Sequence, residues 1–507
     1  MVTLDVDRLA GPQKGSHLVA SQLRKLIVHG TVAPGQLLPS ESELMNTFQV
    51  SRETLREALS ILESESLIRI KRGRSGGAQV LRPDGSAANR YGALLLQVRG
   101  ARLGGIQEAR QILECPAAAA AAVGPSATVI EKLIRLHAAE AADHETTLSA
   151  VDSVVAFDNA VVSLSGNRTL STISGFLREA YAGELFNSRD SYGDEWGIIQ
   201  RIIRWHAEFM DAVESEDASA ASTIWADYLQ GVDAQLLSRR GYEAAINVVP
   251  MWKARYGGGE GKGPRVARIA AVIATEIRSK IAIGELMEGD RLPPLPTIAS
   301  EFGVSRPTLR EALRILETEG LLSLRAGSRA GALIHHPTTR IASNLAGVVL
   351  ESLETTMGDV WNARIQIEPP ALVIATERMG AADLDELRAI YNRMEMAEDA
   401  AATAKEGLKF RFAALNAAHN IALTAAFEII RWVAAGSLAT VATTFSSLPM
   451  EIRGNRRVSP SYSALMEAFE SKDSLLAADI WKGYLVSTVP ALQSQLGARY
   501  ISDVVDY

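Results

Sequence analysis

From Ser16 to His29, SHLVASQLRKLIVH, the apolar residues Leu18, Leu23, Leu26 and Ile27 fall near one helical face, and Ser16 stands where a cap belongs. Gly30 stops this helix. APGQLLPSE is a Pro and Gly loop ending at Ser40, an N-cap for a short helix through Phe48 with Leu44 turned inward. A tight turn at Gln49 and Val50 precedes VSRETLREALSILE, residues 50–63, in which Leu55, Ala58, Leu59 and Leu62 recur at spacings of three and four. That stripe seats the helix and leaves Arg52, Glu53, Arg56 and Ser60 off the core face. After Leu67, IRIK, RGRSGG and AQVL predict a strand, a Gly-rich tip and a return strand. Three helices and a two-stranded wing make a winged helix-turn-helix over residues 1–84.

The pattern is then written again. Residues 304–317 read VSRPTLREALRILE, 254 positions after the first copy, and Gly30, Gly35, Pro39, Gly73, Gly77 and Pro83 map without gaps onto Gly284, Gly289, Pro293, Gly327, Gly331 and Pro337. A period this long signals duplicated domains rather than a solenoid. The second head spans 265–338. Behind each head lies an Ala-rich run of helical patterns, 90–245 and 341–500, with Arg110, Glu114 and Trp225, Tyr228 matched by Arg364, Glu368 and Trp481, Tyr484. Residues 246–264 read as a linker between the halves, Gly-rich from Gly257 to Pro264. The predicted fold is mainly α: two winged heads, each followed by an all-helical bundle.

Composition adds less. The 507 residues are 47% hydrophobic and 22% charged, a globular balance. No apolar run approaches a membrane span, and MVTLDVDRLAGPQKGSH has no signal-peptide core, so a cytoplasmic protein without a membrane partner is predicted. The single cysteine, Cys115, excludes an intrachain disulfide and sits among alanines, as a packing residue would. The net charge of −7 conceals two basic islands. Residues 51–82 carry seven bases against four acids, and residues 305–336 carry five Arg against three Glu.

In a winged helix-turn-helix the third helix enters the major groove with its N-terminal residues at the base edges. Ser51, Arg52, Thr54 and Arg56 occupy that end in the first head; Ser305, Arg306, Thr308 and Arg310 occupy it in the second. Arg52 and Arg56, one turn apart, offer guanidinium forks for guanine or phosphate. Thr54 and the first-turn amides suit a phosphate. Arg72, Arg74 and Gly76 of the first wing, and Arg325 and Arg329 of the second, are placed for the adjacent backbone or groove. A solvated Arg/Glu face with a surface hairpin fits the periodicity as well.

PGQLLPSESEL with VSRETLREAL, GDRLPPLPTIASEFGVSRPTLREAL, and the R-x-x-x-E start of each bundle together resemble the GntR family of bacterial transcription regulators, in its FadR-like subgroup with an FCD effector domain. The resemblance implies a double-stranded operator as partner and a small carboxylate or acyl effector in the helical domain, with repression the commoner mode. It departs from the family at Ser42 and Pro296, where an Arg of the second helix is usual, and at Leu295, which replaces Glu41 in the second copy. Many FCD domains hold a divalent metal through Asp-x-x-x-His and two later His. With SGN at 165–167 as register, Val154 takes the Asp place, Asp158 the paired His, His206 the third and Tyr228 the fourth. In the second copy His419 is matched to the paired His, with Leu415, Tyr462 and Tyr484 elsewhere. Asp158 and His206 are the only plausible ligands in the first copy, so no cofactor is expected.

The better reading of these positions is an effector pocket of Arg110, Asp158, His206 and Tyr228, mirrored by Arg364, His419, Tyr462 and Tyr484. His137, Glu140 and His144 share a helix face that is expected to be exposed. No catalytic motif points to an enzyme. A ligand-responsive regulator acting as an intramolecular pseudo-dimer, or as a homodimer of chains, is the leading expectation. One alternative leaves DNA to the first half and makes the second an assembly or sensing module; a remoter one is a helical metal-dependent enzyme.

Overall fold

The computed structural model describes residues 15–28, 30–64, 67–71, 77–81, 85–188, 197–256, 265–324, 332–435 and 458–492. The first head is α1 (Gly15–Val28), α2 (Glu41–Phe48), α3 (Arg52–Ser64), β1 (Ile68–Lys71) and β2 (Gly77–Val80). β1 and β2 are antiparallel, with Ile68 opposite Val80 and Lys71 opposite Gly77. Leu55, Ala58, Leu59 and Leu62 are buried as the spacing requires. The stripe of α1 is different from the one expected. Val19 and Ala20 join Leu23 and Ile27 inside, while Leu18 and Leu26 are 50% and 39% exposed. The face of α1 that packs against α3 is thus turned from the one expected.

Eleven more helices and two strands carry the chain to the end of the second head's wing. The first bundle is α4 (Ser86–Val98), α5 (Leu103–Ala121), α6 (Ala127–Glu140), α7 (Thr147–Leu164), α8 (Arg168–Asn187), α9 (Gly197–Glu214) and α10 (Ala218–Arg240), followed by α11 (Val249–Tyr256). The second head is α12 (Arg265–Ala282), α13 (Leu295–Glu301), α14 (Arg306–Thr318), β3 (Leu322–Leu324) and β4 (Ala332–Ile334). Its turns repeat those of the first: Gly35 and Gly289 take φ of 91° and 88°, and each donates its N–H to the end of the return strand, at Val80 and Ile334. Both conformations are left-handed, where a side chain would be strained. The second bundle is α15 (Thr339–Ser352), α16 (Met357–Arg378), α17 (Ala381–Glu395), α18 (Ala400–Asn416), α19 (Ile421–Ala435), α20 (Pro460–Glu470) and α21 (Ser474–Leu492).

The supposed linker is partly folded. Residues 246–256 dock on the first bundle because Trp252, Met251 and Val249 bury their side chains there. Glu179 accepts from the Trp252 indole N–H at 2.8 Å and pairs with Arg255 at 3.1 Å. Only residues 257–264 of that linker lie outside the described residues. α7 is also the one described helix long and apolar enough to cross a membrane, with a mean hydropathy of 1.3. Here it packs on α5, α6, α8 and α9.

The halves meet in reciprocal contacts. α4 lies against α15 and α5 against α16; α8 meets α15 as α19 meets α4, and α5 meets α19 as α16 meets α8. That pattern is a pseudo-twofold built from one chain. Polar ties cross it: the Asn420 amide donates to Gly105 O at 2.9 Å, and Arg99 pairs with Glu428 at 2.6 Å. α4 and α8 come close because a Cβ on Gly92 would stand 2.5 Å from the Phe176 ring.

The heads cross over. Val348 of α15, a second-half residue, is 2% exposed within the core of the first head, while α12 of the second head packs on α4 and Ala282 O accepts from the Gln97 amide at 3.1 Å. Val348→Ala is expected to cost the first head about 2 kcal/mol, the transfer and cavity terms of a buried valine. Amide exchange should quicken in α1 and α3 and stay unchanged in α12 and α14. Equal quickening in both heads would contradict this packing.

Candidate functional site

Each third helix presents its N-terminus to solvent. Ser51 Oγ accepts from the Thr54 amide at 3.2 Å, and Ser305 Oγ from the Thr308 amide at 3.4 Å. The cap fixes the first turn, and Arg52, Arg56, Arg306 and Arg310 extend from it exposed. Thr54 is half-buried and Thr308 is buried, so the threonines support the turn more than they face outward. The wing residues Arg72, Arg74, Gly76, Arg325 and Arg329 lie outside the described residues.

The heads differ beside these arginines. Glu41 of α2 stands 3.4 Å from Arg52 and 3.8 Å from Arg56. Its counterpart is Leu295, so Arg306 and Arg310 have no carboxylate at that place. α2 is closed by a reciprocal cap between Ser40 and Glu43, whereas Pro294 opens α13 without a side-chain cap. α3 and α14 also touch one another. The two reading helices are therefore neighbours, one with its arginines tethered and one without.

Behind the heads, the four first-bundle candidates converge. Arg110 of α5 pairs with Glu114 one turn on, at 3.0 Å, and with Asp158 of α7 at 3.0 Å. The Tyr228 hydroxyl of α10 donates to Asp158 Oδ2 at 2.9 Å. His206 of α9 lies 3.2 Å from Asp158 and 2.9 Å from Glu140. The same His is stacked between Phe157, at 4.2 Å, and Trp225, at 5.7 Å. Arg178 of α8 reaches Glu114 at 3.5 Å, and the Tyr181 ring lies 3.9 Å from the Arg110 guanidinium.

Glu140 corrects the view of its helix face as exposed. It is 1% exposed and accepts from both His137 and His206. His144 lies past the end of α6, with its Nε2 3.2 Å from Glu140 O. Burial by itself would lower the His206 pKa, but Asp158 and Glu140 outweigh it and push the value up to about 9. Three cations, Arg110, Arg178 and the His206 imidazolium, thus face three carboxylates, Glu114, Asp158 and Glu140. Cys115 is half-buried nearby, and burial pushes its thiol up to about 12.

The second bundle builds a related cluster in which one charge is reversed. Arg364 of α16 pairs with Glu368 one turn on, at 2.7 Å, and Glu368 also pairs with Arg411 of α18 at 2.5 Å. The Trp481 indole N–H donates to Glu368 at 2.8 Å, and Tyr462 and Tyr484 lie close, ring centroids 5.6 Å apart. His419 does not join them. Its ring is 57% exposed and pairs with Asp383 at 3.1 Å.

The structure gives the correct register. Asn420 caps α19 as Asn167 caps α8, and each follows a left-handed residue, His419 at φ 48° and Gly166 at φ 76°. His419 therefore matches Gly166, a turn position, and Asp158 matches Arg411. The recurring Asn in SGN and AHN was the signal that could have identified Arg411. Glu140, Arg178 and Tyr181 had no such signal, since only the bundle brings them together.

Residues 16–76 and 269–331 match the family described as bacterial regulatory proteins, gntR family, and residues 106–231 and 359–487 match the FCD domain. A putative HTH-type transcriptional regulator, RmpR, of Mycobacterium gastri is 29% identical over 135 residues, 27% of this chain and 49% of that protein. The chain thus spans about half of that relative's length. A putative L-lactate dehydrogenase operon regulatory protein of Escherichia coli is 26% identical over 224 residues, 42% of this chain and 79% of that one. The mannosyl-D-glycerate transport/metabolism system repressor MngR of Escherichia coli is 50% identical over 56 residues, 11% of this chain and 23% of that one. A solved Streptococcus agalactiae GntR structure covers 43% of this chain and 99% of its own, at 19% identity and a TM-score of 0.33.

Because the His206 value lies above the ordinary 6.5, its stabilisation is complete below about pH 6.5 and is lost as pH rises through about 9. Burial pushes the Asp233 carboxyl up to about 7, which also lowers stability with rising pH, but from 3.8 to about 7. Melting temperature is expected to fall between pH 7 and 9, and His206→Gln to flatten that fall. Asp158→Asn, which breaks a buried pair, should cost about 3 kcal/mol in a denaturant titration. A cost under about 0.5 kcal/mol would remove Asp158 from the cluster's electrostatics.

Proposed function

Because the chain belongs to the gntR family of bacterial regulatory proteins, as a DNA-binding transcription regulator with two FCD ligand-binding domains, we propose that it is a repressor whose two heads engage one imperfect operator as an intramolecular pseudo-dimer. A small organic acid or acyl compound in the helical domains releases it. The observation that carries this reading is the pair of capped third helices, side by side in one chain, each with two exposed arginines at its head. Repression is supported by likeness, over 56 residues, to a protein named as a repressor. An acid effector is supported by the relative named for an L-lactate dehydrogenase operon, lactate being a small carboxylate.

The arginines divide the work. Arg52, Arg56, Arg306 and Arg310 supply base discrimination from the helix ends, and Arg72, Arg74, Arg325 and Arg329 supply salt-dependent phosphate affinity. Glu41 must release its two arginines when DNA arrives, a small cost because the pairs are exposed. The first head therefore starts tethered and the second starts free, which suits unequal half-sites.

The regulator works without a resident metal. The residues do not fit the metal of related FCD domains: Val154 brings no donor, Tyr228 replaces an imidazole, and the Arg110 guanidinium already holds Asp158. In the second bundle the place of Asp158 is taken by the cation of Arg411. Metal analysis of protein purified without chelator is expected to give well under one ion per chain, and a tightly held stoichiometric ion would overturn this reading.

Selection from a randomised duplex library yields the operator. On the selected site Arg56→Ala and Arg310→Ala are each expected to cost about 1–3 kcal/mol, with a smaller loss on random DNA. If both lose equally on random DNA, base reading is wrong. If the Arg306 and Arg310 variants lose nothing, DNA belongs to the first half and the second half is a sensing module.

A further inference from the structure

Helix α11 stands between the first FCD domain and the second head, in contact with α7 and α8 on one side and with α12 on the other. On the bundle side Arg255 donates to both oxygens of Glu179 on α8, at 3.1 and 3.2 Å, and pairs with Asp152 on α7. One guanidinium thus holds two helices, and a planar fork keeps both acids only at one spacing. The same two helices carry the polar centre. Glu179 adjoins Arg178 on α8, and Asp152 lies six residues before Asp158 on α7, roughly 9 Å of helix rise. A shift of α7 against α8 at the centre therefore reaches Arg255.

On the head side the connection continues through ion pairs. Lys253 meets Glu276 of α12 at 3.0 Å, and Arg278 of α12 reaches Glu319 at 2.7 Å. Glu319 is the residue that closes α14, the second reading helix. Gln97 of α4 fastens the junction from another side, accepting from the Val248 N–H at 2.9 Å and donating to Ala282 O, at the end of α12, at 3.1 Å. The Arg255–Asp152 and Lys253–Glu276 pairs are partly exposed and add little stability, so what they fix is geometry. The first head differs at this place. Gln22 of α1 takes the position of Glu276 in the 254-residue repeat and brings no charge, while Leu18 and Leu26, one turn to either side, are 50% and 39% exposed. α1 has no carboxylate there to receive such a lysine.

We propose that α11 is a strut through which the first FCD domain positions the second head. Arg255 gauges the spacing of α7 and α8, Lys253 passes it through Glu276 to α12, and Arg278 hands it to the end of α14. Arg255 and Lys253 are positioning residues: they set the stance of the reading helix without touching DNA. This rests on the effector-responsive reading above and names the route by which the first domain addresses one head in particular.

The test is a double-mutant cycle on the full chain, read by amide exchange in α12 and α14. Asp158→Asn disturbs the centre; Tyr228→Phe, which removes only the hydroxyl that donates to Asp158, takes its place if that variant fails to fold. Either is expected to quicken exchange in α12 and α14 about threefold or more, and the response should fall by at least half when Asp152→Asn or Lys253→Gln cuts the strut. The strut variants alone should leave the melting temperature nearly unchanged. A merely structural role for α11 would leave the effects additive, and an additive cycle, or no response in α12 and α14 with the strut intact, would overturn the proposal. Affinity for the selected operator, measured alongside, separates this from the regulatory reading. Coupled exchange with operator affinity unmoved upholds the strut and sinks the regulation through it. Operator affinity that responds to the centre equally with the strut intact and cut sinks the strut and leaves the regulator standing.

Discussion

A buried arginine bound to the carboxylate one helical turn ahead is the constraint around which each bundle is built. Arg110 with Glu114 on α5, and Arg364 with Glu368 on α16, sit where no water can share their charge. Such a pair is tolerable only if the surrounding helices bring further partners, since an isolated buried ion is expensive. Asp158, Arg178, Arg411 and Trp481 are those partners, each from a different helix. The order of helices in the bundle is thus tied to a polar centre as well as to apolar packing.

The same helices that carry the pairs also form the surface between the halves. α5 meets α16 and α19, and α16 meets α8, so a change in either cluster reaches the pseudo-twofold directly. From there the route to DNA is short. α15 meets α19 and places Val348 inside the first head, and α4 touches α12 of the second. Each head therefore rests on a helix of the opposite half. A rearrangement of α16 or α5 thus has a packed path to both heads.

Much of this was legible in the chain. The head could be read from Ser40, Ser51, the turn glycines and the stripe of Leu55, Ala58, Leu59 and Leu62, because caps and spacings are local. Arg110, Asp158, His206 and Tyr228 also came together as expected. What failed was register and burial at a distance. His419 looked like a ligand because it is a histidine near the right place, but its backbone is a left-handed turn matching Gly166. Glu140 looked like a solvent-facing acid because its helix is amphipathic on average, but α7 and α9 pack on that helix and His206, 66 residues later, meets the carboxylate. The stretch around Trp252 looked like linker because of the glycines that follow it, while its apolar side chains had a bundle to cover.

Duplication within one chain explains why the two centres are free to differ. In a dimer of identical chains every substitution appears twice, so an acid exchanged for an arginine at the place of Asp158 and Arg411 would unbalance both sites together. Here the exchange falls on one half, and the other retains a matched set of charges that holds its bundle closed. The second half sets Arg364 and Arg411 against the one carboxylate of Glu368 among the described residues. The heads show the same freedom at Glu41 and Leu295, where one reading helix is tethered by a carboxylate and its neighbour is not. A symmetric dimer senses and reads with two equal sites. In this chain the pseudo-twofold conserves the packing while the charges inside it diverge, so sensing and reading can each be biased towards one half without loss of the shared fold.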